Sequence, residues 1–290
     1  MASNVKVDMK LQGHEKFALR DGWLNKGLFM VKRDPMAFQG KNGPDIFGIG
    51  NNMVKSLRYW LKAFGLIEEK TGKGASLTDL GELILEYDPY FEDLFTVWIL
   101  HSMIASNIKE ATTWFMFFNR IDVTDLDKEH IEDLLLREIR KYAAGVKFSE
   151  NSVKNDLDVI LNMYGKTKEN VDPEDKSVSP LACLNLVKNT DGVYTKLHPM
   201  KKVISEWTVL YELMKMLDGK EFISIEDAVD GENGLGRVLQ LSSVMANEFL
   251  DRLEAMDYIQ INRTAGLDVI YKLTDLKANE VIEYYYKNVR

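Results

Sequence analysis

Residues 51–70 read NNMVKSLRYWLKAFGLIEEK, and residues 71–80 continue TGKGASLTDL. Val54, Leu57, Leu61 and Phe64 recur at helical spacing, Gly65 stands where a helix would end, and Leu66 and Ile67 open an extended stretch. Thr71 to Gly74 has the composition of a tight turn, and Thr78 or Asp79 can cap a helix running through Glu86. Helix, strand, turn, strand, helix is the order of a winged helix. The fold class expected is therefore mainly α with small sheets, an α+β protein.

The same order returns near the C-terminus. Met245 to Ile261 reads as helix into strand, NRTAG at 262–266 as a turn, and Asp268 to Lys272 as a second strand before another LTDL at 273–276. At an offset of 192, Leu57 falls on Phe249, Leu61 on Leu253, Phe64 on Met256 and Ile67 on Ile259, which reads as duplication of one unit. A degenerate third copy is expected at 149–203. It has an apolar face of Val153, Leu157, Ile160 and Leu161, a polar loop (GKTKENVDPEDKSVSP) through Pro180, a short helix over Leu181 to Leu186 and a strand over Val193 to Leu197. Tyr90 to Ala144 is rich in aromatic and aliphatic residues at helical periods. The organisation expected is an N-terminal winged-helix unit at 1–89, a helical core at 90–148, the degenerate unit at 149–203 and a C-terminal winged-helix unit at 204–290.

Composition bounds the setting. The 290 residues hold one cysteine, Cys183, so no intrachain disulfide and no four-thiolate zinc site can form. Charged residues interrupt the first twelve positions where an export signal would be apolar. The most apolar stretch, Leu94 to Met103, is about half the ~20 residues of a membrane span. A cytoplasmic protein without membrane contact is expected. Its net charge of −8 argues against a chain that coats nucleic acid over its whole surface. The charge is split, however: residues 1–74 carry 13 Lys and Arg against 7 Asp and Glu, a net of +6, which leaves −14 for the rest.

The split assigns different partners to the two outer units. In the first, Asn51, Lys55, Arg58 and Lys62 are spaced 4, 3 and 4 and form one basic stripe on the outward face of a recognition-type helix. Asn51 and Asn52 suit adenine, Arg58 suits guanine, and Lys55, Lys62, Lys70 and Lys73 suit phosphates. In the last, the equivalent stripe is Ser243, Asn247, Leu250 and Glu254, with Glu248 and Asp251 beside it. An acidic face repels the phosphate backbone, so that unit is expected to meet proteins.

Residues 13–27, GHEKFALRDGWLNKG, gather groups capable of chemistry. His14 and Glu15 can act as acid and base or help hold a divalent metal, and Arg20 can hold a phosphate. Equally, Phe17, Trp23 and Leu24 can mark a segment pinned to the core, with His14 structural. There is no second histidine four residues on, as a zincin would need.

This motif, together with IGNNMVKSLRYWLKAFGLIEE at 49–69, SENSVKNDLDVILNMYG at 149–165 and SPLACLNLV at 179–187, resembles the SspB-like bacterial family. That family, mostly of unknown function, accompanies DNA phosphorothioation and related phage-defence gene clusters. The resemblance implies an accessory protein that works on DNA beside sulfur-inserting enzymes, with DNA nicking as its activity. A nickase would take Mg²⁺ or Mn²⁺, with His14, Glu15 and Arg20 as candidates on chemistry alone. Two other readings stand beside it: a non-catalytic adaptor that binds the modification enzymes through the acidic C-terminal unit, and a winged-helix transcription regulator. Oligomeric state is left open.

The remaining features read as structure. His101, His130 and His198 are distant from one another and from Cys183, so no metal set is expected from them. GENGLG at 231–236 lacks the GK[ST] of a phosphate loop and reads as a linker. Tyr284 to Tyr286 read as tyrosines docking a terminal helix on the core.

Overall fold

An irregular arm through Leu19 leads into the first helices of the computed structural model, which describes residues 7–39, 42–165, 178–264 and 267–290. The N-terminal part contains α1 (Trp23–Arg33), α2 (Gly43–Phe47), α3 (Asn51–Ala63), β1 (Ile67–Lys70), β2 (Gly74–Leu77) and α4 (Asp79–Tyr87). The middle contains α5 (Leu94–Ala105), α6 (Thr112–Asn119), β3 (Leu126–Asp127), α7 (Lys128–Ala143), α8 (Glu150–Gly165), a 3₁₀ turn at Pro180–Leu184, β4 (Val187–Thr190) and β5 (Val193–Lys196). The last part contains α9 (Glu206–Met216), β6 (Phe222–Ser224), α10 (Ile225–Asp230), α11 (Leu235–Val238), α12 (Ser243–Ala255), β7 (Ile259–Thr264), β8 (Leu267–Lys272) and α13 (Ala278–Asn288). The fold is α+β, with small antiparallel sheets among helices. Most of the polar insertion, residues 166–177, lies outside the described residues, as does the tip of the last hairpin at 265–266.

Two of the three sheets share a plan. β6 pairs with β8, which pairs with β7; β3 pairs with β5, which pairs with β4. In each case a short strand before two or more helices rejoins the second strand of the later hairpin. In the N-terminal part the hairpin is β1–β2 alone, and one bond, from the Ala75 amide to the Pro35 carbonyl (2.8 Å), stands where a third strand would lie. The middle hairpin is thus tied to Leu126 and Asp127, well before residue 149.

The duplication extends to backbone detail. After α3, Leu66 donates to the Leu61 carbonyl (2.8 Å) and Gly65 to Lys62 (2.9 Å), with Gly65 at φ +65°. After α12, Tyr258 donates to Leu253 (3.1 Å) and Asp257 to Glu254 (2.9 Å), with Asp257 at φ +58°. Both are Schellman endings, in which a left-handed residue lets the last carbonyls find donors. Leu57, Leu61 and Ile67 are buried like Phe249, Leu253 and Ile259, whereas Phe64 is buried and Met256 is 37% exposed.

Two details of the expected repeat differ. Thr78 caps α4, its hydroxyl accepting from the Gly81 amide, but the second LTDL is irregular and α13 begins only at Ala278. There Thr274 accepts from the nearby Leu276 amide instead, and Glu280 reaches back to the Lys277 amide to start the helix four residues later. Leu250 is fully buried, so the stripe Ser243, Asn247, Leu250, Glu254 is not one outward face; Val244, Glu248 and Asp251 point to solvent.

The buried apolar side chains form one cluster from Leu19 to Tyr286. At its centre α5 is buried on nearly every side, as a helix apolar all round must be. Among the described residues no helix is long and apolar enough to cross a membrane.

Candidate nucleic-acid interface

The N-terminal arm makes a site by lying across two parts of the chain. Its amides and carbonyls bind α6, α7 and α8: Lys10 donates to Thr112 Oγ1 (2.9 Å), Gln12 donates to Asp156 Oδ1 (2.9 Å), and Tyr142 donates to the Asp8 carbonyl (3.0 Å). Further on, Ser56 and Trp60 of α3 both donate to the Phe17 carbonyl. Gly13 passes so close over Tyr59 that a Cβ there would lie 2.3 Å from the ring, so no larger residue fits.

His14 follows, and the structure buries it completely. Its ring stacks on Trp60, with Tyr59 and Trp114 edge-on. The Lys16 amide donates to Nδ1 (3.1 Å), which places the proton on Nε2, and Nε2–H donates to Asp156 Oδ1 (2.7 Å). Asp156 is itself buried and also accepts from Thr113 (2.6 Å) and Gln12, so the carboxylate has three donors. This is a satisfied buried network that fastens the arm to α8. In this arrangement no surface of His14 is open to a substrate.

The network forces an unusual turn. Gln12, Glu15 and Lys16 all lie at positive φ (+53°, +50° and +67°), a conformation that costs non-glycine residues roughly 1 kcal/mol or more each and persists only when the surroundings fix it. One result is that Glu15 turns toward α3, where its carboxylate is 4.0 Å from Lys55 Nζ. Arg20 goes elsewhere, its guanidinium over the Trp23 ring at 5.6 Å.

A groove results between the arm, α3 and β1, lined by Lys10, Glu15, Lys55, Arg58, Lys62, Glu69 and Glu110 among others. Asn51, Asn52, Lys55 and Arg58 are exposed on α3, and Lys62 is partly so; Lys70 and Lys73 are exposed on the hairpin. No side chain caps the first turn of α3, whose N-cap is Gly50. The stripe is less positive than the sequence suggests. Arg58 makes a two-point bond to Glu69, Nε to Oε1 at 2.5 Å and Nη2 to Oε2 at 2.9 Å. Lys62 Nζ stands 3.7 Å from Glu69 and 3.8 Å from Glu110, while Lys70 pairs with Glu68 at 2.6 Å. The hydrogen bond to Glu69 raises the Arg58 pKa, so its charge is permanent. Burial pushes the Glu69 carboxyl up, but the bonds and charges of Arg58 and Lys62 outweigh it and hold it below the usual carboxylate range. Glu69 lies eleven residues from Arg58, across the helix end, and Glu110 arrives from the middle of the chain. Only Glu69 could have been found from the sequence, by folding the expected strand back beside the helix.

The corresponding faces elsewhere are occupied differently. On α8 the arm covers the N-terminal half, with Asn155 donating to Gln12 Oε1 (3.0 Å). On α12 the bracing pair is reversed: Asp251 is on the helix and Arg263 on the hairpin, 2.8 Å apart. His101 is buried between Tyr164 and the Val238 carbonyl, His130 is exposed against Asp127, and His198 contacts the Gln240 carbonyl. Among the described residues no group of three or more His, Cys, Asp or Glu side chains is placed to hold a metal ion.

Comparison with known proteins bears on this geometry. A family model described as a protein of unknown function, DUF4007, matches residues 11–286. No curated protein matches the chain. Among solved structures, the chain resembles a magnesium ion-bound SspB crystal structure at 22% identity and a TM-score of 0.87, covering 97% of this chain and 89% of that one. A second SspB crystal structure gives 23% identity and a TM-score of 0.86 over the same shares. At this identity the likeness is one of fold.

Proposed function

The chain belongs to the DUF4007 family, and on that premise we propose that it is a DNA-docking accessory protein of a phosphorothioation-associated defence system, meeting DNA through the outward face of α3. The observation that carries the reading is the exposed run Asn51, Asn52, Lys55 and Arg58 beside the basic hairpin tip at Lys70 and Lys73. We read the three helix–hairpin assemblies as winged-helix units, in which such a helix enters the major groove and the hairpin follows the backbone. The β3–β5 pairing supports drawing the middle unit from α6 onward. The SspB likeness, in fold, and the sequence resemblance supply the phosphorothioation context.

A duplex-binding titration tests it, with Lys55→Glu plus Arg58→Glu compared against Asp251→Lys. The double reversal is expected to weaken binding about tenfold or more and to flatten the log–log salt dependence by roughly one unit per lost phosphate contact. Asp251→Lys should leave it within about twofold, since that residue faces away from DNA in this reading. An unchanged dissociation constant in the double reversal removes α3 as the interface. Nicking, which the family resemblance implies, is scored on supercoiled plasmid in the same samples with Mg²⁺ or Mn²⁺, because one structural neighbour is magnesium-bound.

A second reading has an observation of its own. Near the start of α12, Val244 is 73% exposed, with the exposed acids Glu248 and Asp251 one and two turns further along the same face. An exposed apolar side chain edged with acids suits a protein partner of the modification complex, and binding of the other modification proteins without DNA would favour the adaptor.

A further inference from the structure

We propose that Glu69 is a positioning residue that presents Arg58 end-on to a guanine edge in the major groove, an inference that rests on the DNA-docking reading above. The guanidinium is planar, and its five N–H donors point in fixed directions. Glu69 takes the side edge, Nε and one hydrogen of Nη2, through both of its oxygens. The end edge, formed by Nη1 and the second hydrogen of Nη2, takes no part in that pairing, and the side chain that carries it is 44% exposed. That end fork is the pair of donors that matches O6 and N7 of guanine.

Glu69 is built for the task. It sits on β1 with its side chain only 16% exposed, and Lys62 Nζ lies 3.7 Å from the oxygen that Nη2 contacts. Lys62 is in turn 3.8 Å from Glu110. A chain of alternating charge, Glu110, Lys62, Glu69, Arg58, therefore runs from the middle of the molecule across α3 and ends at the outward arginine. The C-terminal hairpin supplies the contrast. There the acid is on the helix and the arginine on the strand, so the brace at Asp251 and Arg263 offers no arginine from the helix face.

The rival role for Glu69 is a charge mask that merely weakens phosphate attraction. The two roles separate in base preference, which a mask does not set. The full-length chain, Glu69→Gln and Arg58→Lys are each used to select from a randomised duplex pool, with total affinity for the pool recorded. The wild type should enrich guanine at one position. Glu69→Gln, which removes a negative charge but keeps the shape, should bind the pool roughly threefold more tightly while its preference at that position falls about tenfold, the worth of a good two-point base contact. Arg58→Lys keeps the charge and should lose the preference as well. Tighter binding by Glu69→Gln with its preference intact would make Glu69 a mask and overturn the proposal. Wild-type binding with no guanine preference would overturn it too, leaving DNA docking in place. No binding of the pool at all would instead defeat the docking reading on which it rests.

Discussion

At the scale of single residues, the same network that hides His14 explains why the arm is where it is. His14 Nε2–H, the Gln12 amide and the Thr113 hydroxyl together satisfy one buried carboxylate, Asp156. Replacing His14 with Ala removes one of those donors and opens a gap among three aromatic rings, so a loss of about 3 kcal/mol is expected by denaturant unfolding. An enzyme that lost its activity in His14→Ala at unchanged stability would contradict this placement. His101 gives a pH signature. The Val238 carbonyl can only accept, so Nε2 carries the proton, and Nδ1 accepts from the Tyr164 hydroxyl. Burial, above all, lowers its pKa to about 3. The unfolded imidazole titrates near 6.5, so between the two values the unfolded chain binds a proton that the folded one refuses. Stability from this group is complete above about pH 6.5 and declines as pH falls, by about 1.4 kcal/mol per unit. Urea unfolding at about pH 7 and pH 5 should show a loss of roughly 2 kcal/mol that His101→Gln largely removes. The motif holding His14 was legible in the sequence, as were the structural alternatives for it. Its partner Asp156 was not, because 142 residues separate the two and no local pattern reports such a pairing.

At the scale of elements, periodicity and caps carried most of the fold. α3, its Gly65 ending and the β1–β2 hairpin follow directly from residues 51–77, and the repeat at offset 192 predicted the matching hairpin at β7–β8. The copied LTDL misled: Thr274 accepts from the Leu276 amide only two residues on, and α13 starts at Ala278, where Glu280 reaches back to the Lys277 amide. The orientation of α12 misled as well: a helix can rotate by one position to bury a leucine, as Leu250 shows, without changing its apolar period. The two Schellman endings make a paired prediction. Asp257 holds φ +58° with an exposed side chain, where glycine needs no such strain, so Asp257→Gly should stabilise by roughly 0.5–1 kcal/mol. Gly65→Ala at φ +65° should do the opposite and cost more than about 1 kcal/mol, since its Cβ would also lie 2.5 Å from Met103 Cε. Thermal melts of both variants check the pair, and equal shifts of the same sign would mean that the two endings are not equivalent.

At the scale of the whole molecule, the last helix closes on the first third of the chain. Tyr286 shares a 2.6 Å hydrogen bond with Thr96 and stacks on Tyr87, and Tyr285 lies against Phe95 and donates to Asp93 at 3.2 Å. Arg290 donates to the Tyr87 carbonyl and reaches Asp88 and Asp93. Asp88 is buried, and the Glu92 and Asp93 amides and the Thr96 hydroxyl also donate to it. His101 adds a second tie, joining α8 to α11 through α5. With the net-positive first 74 residues and the net-negative remainder held through these contacts, the two parts of the charge split are not free to drift apart. The chain should therefore unfold as one cooperative unit despite its repeats. Tryptophans sample every part of it, with Trp23 and Trp60 in the N-terminal third, Trp98 and Trp114 in the middle and Trp207 in the last. Helix content by circular dichroism and tryptophan fluorescence should give coincident transitions in the wild type. Tyr286→Ala removes a buried ring and its bond to Thr96, which should cost about 3–5 kcal/mol and move both transitions together. If only part of the fluorescence change shifted while the remainder kept its midpoint, the parts would be melting separately, and α13 would be a local ornament on one of them rather than the clasp of the whole.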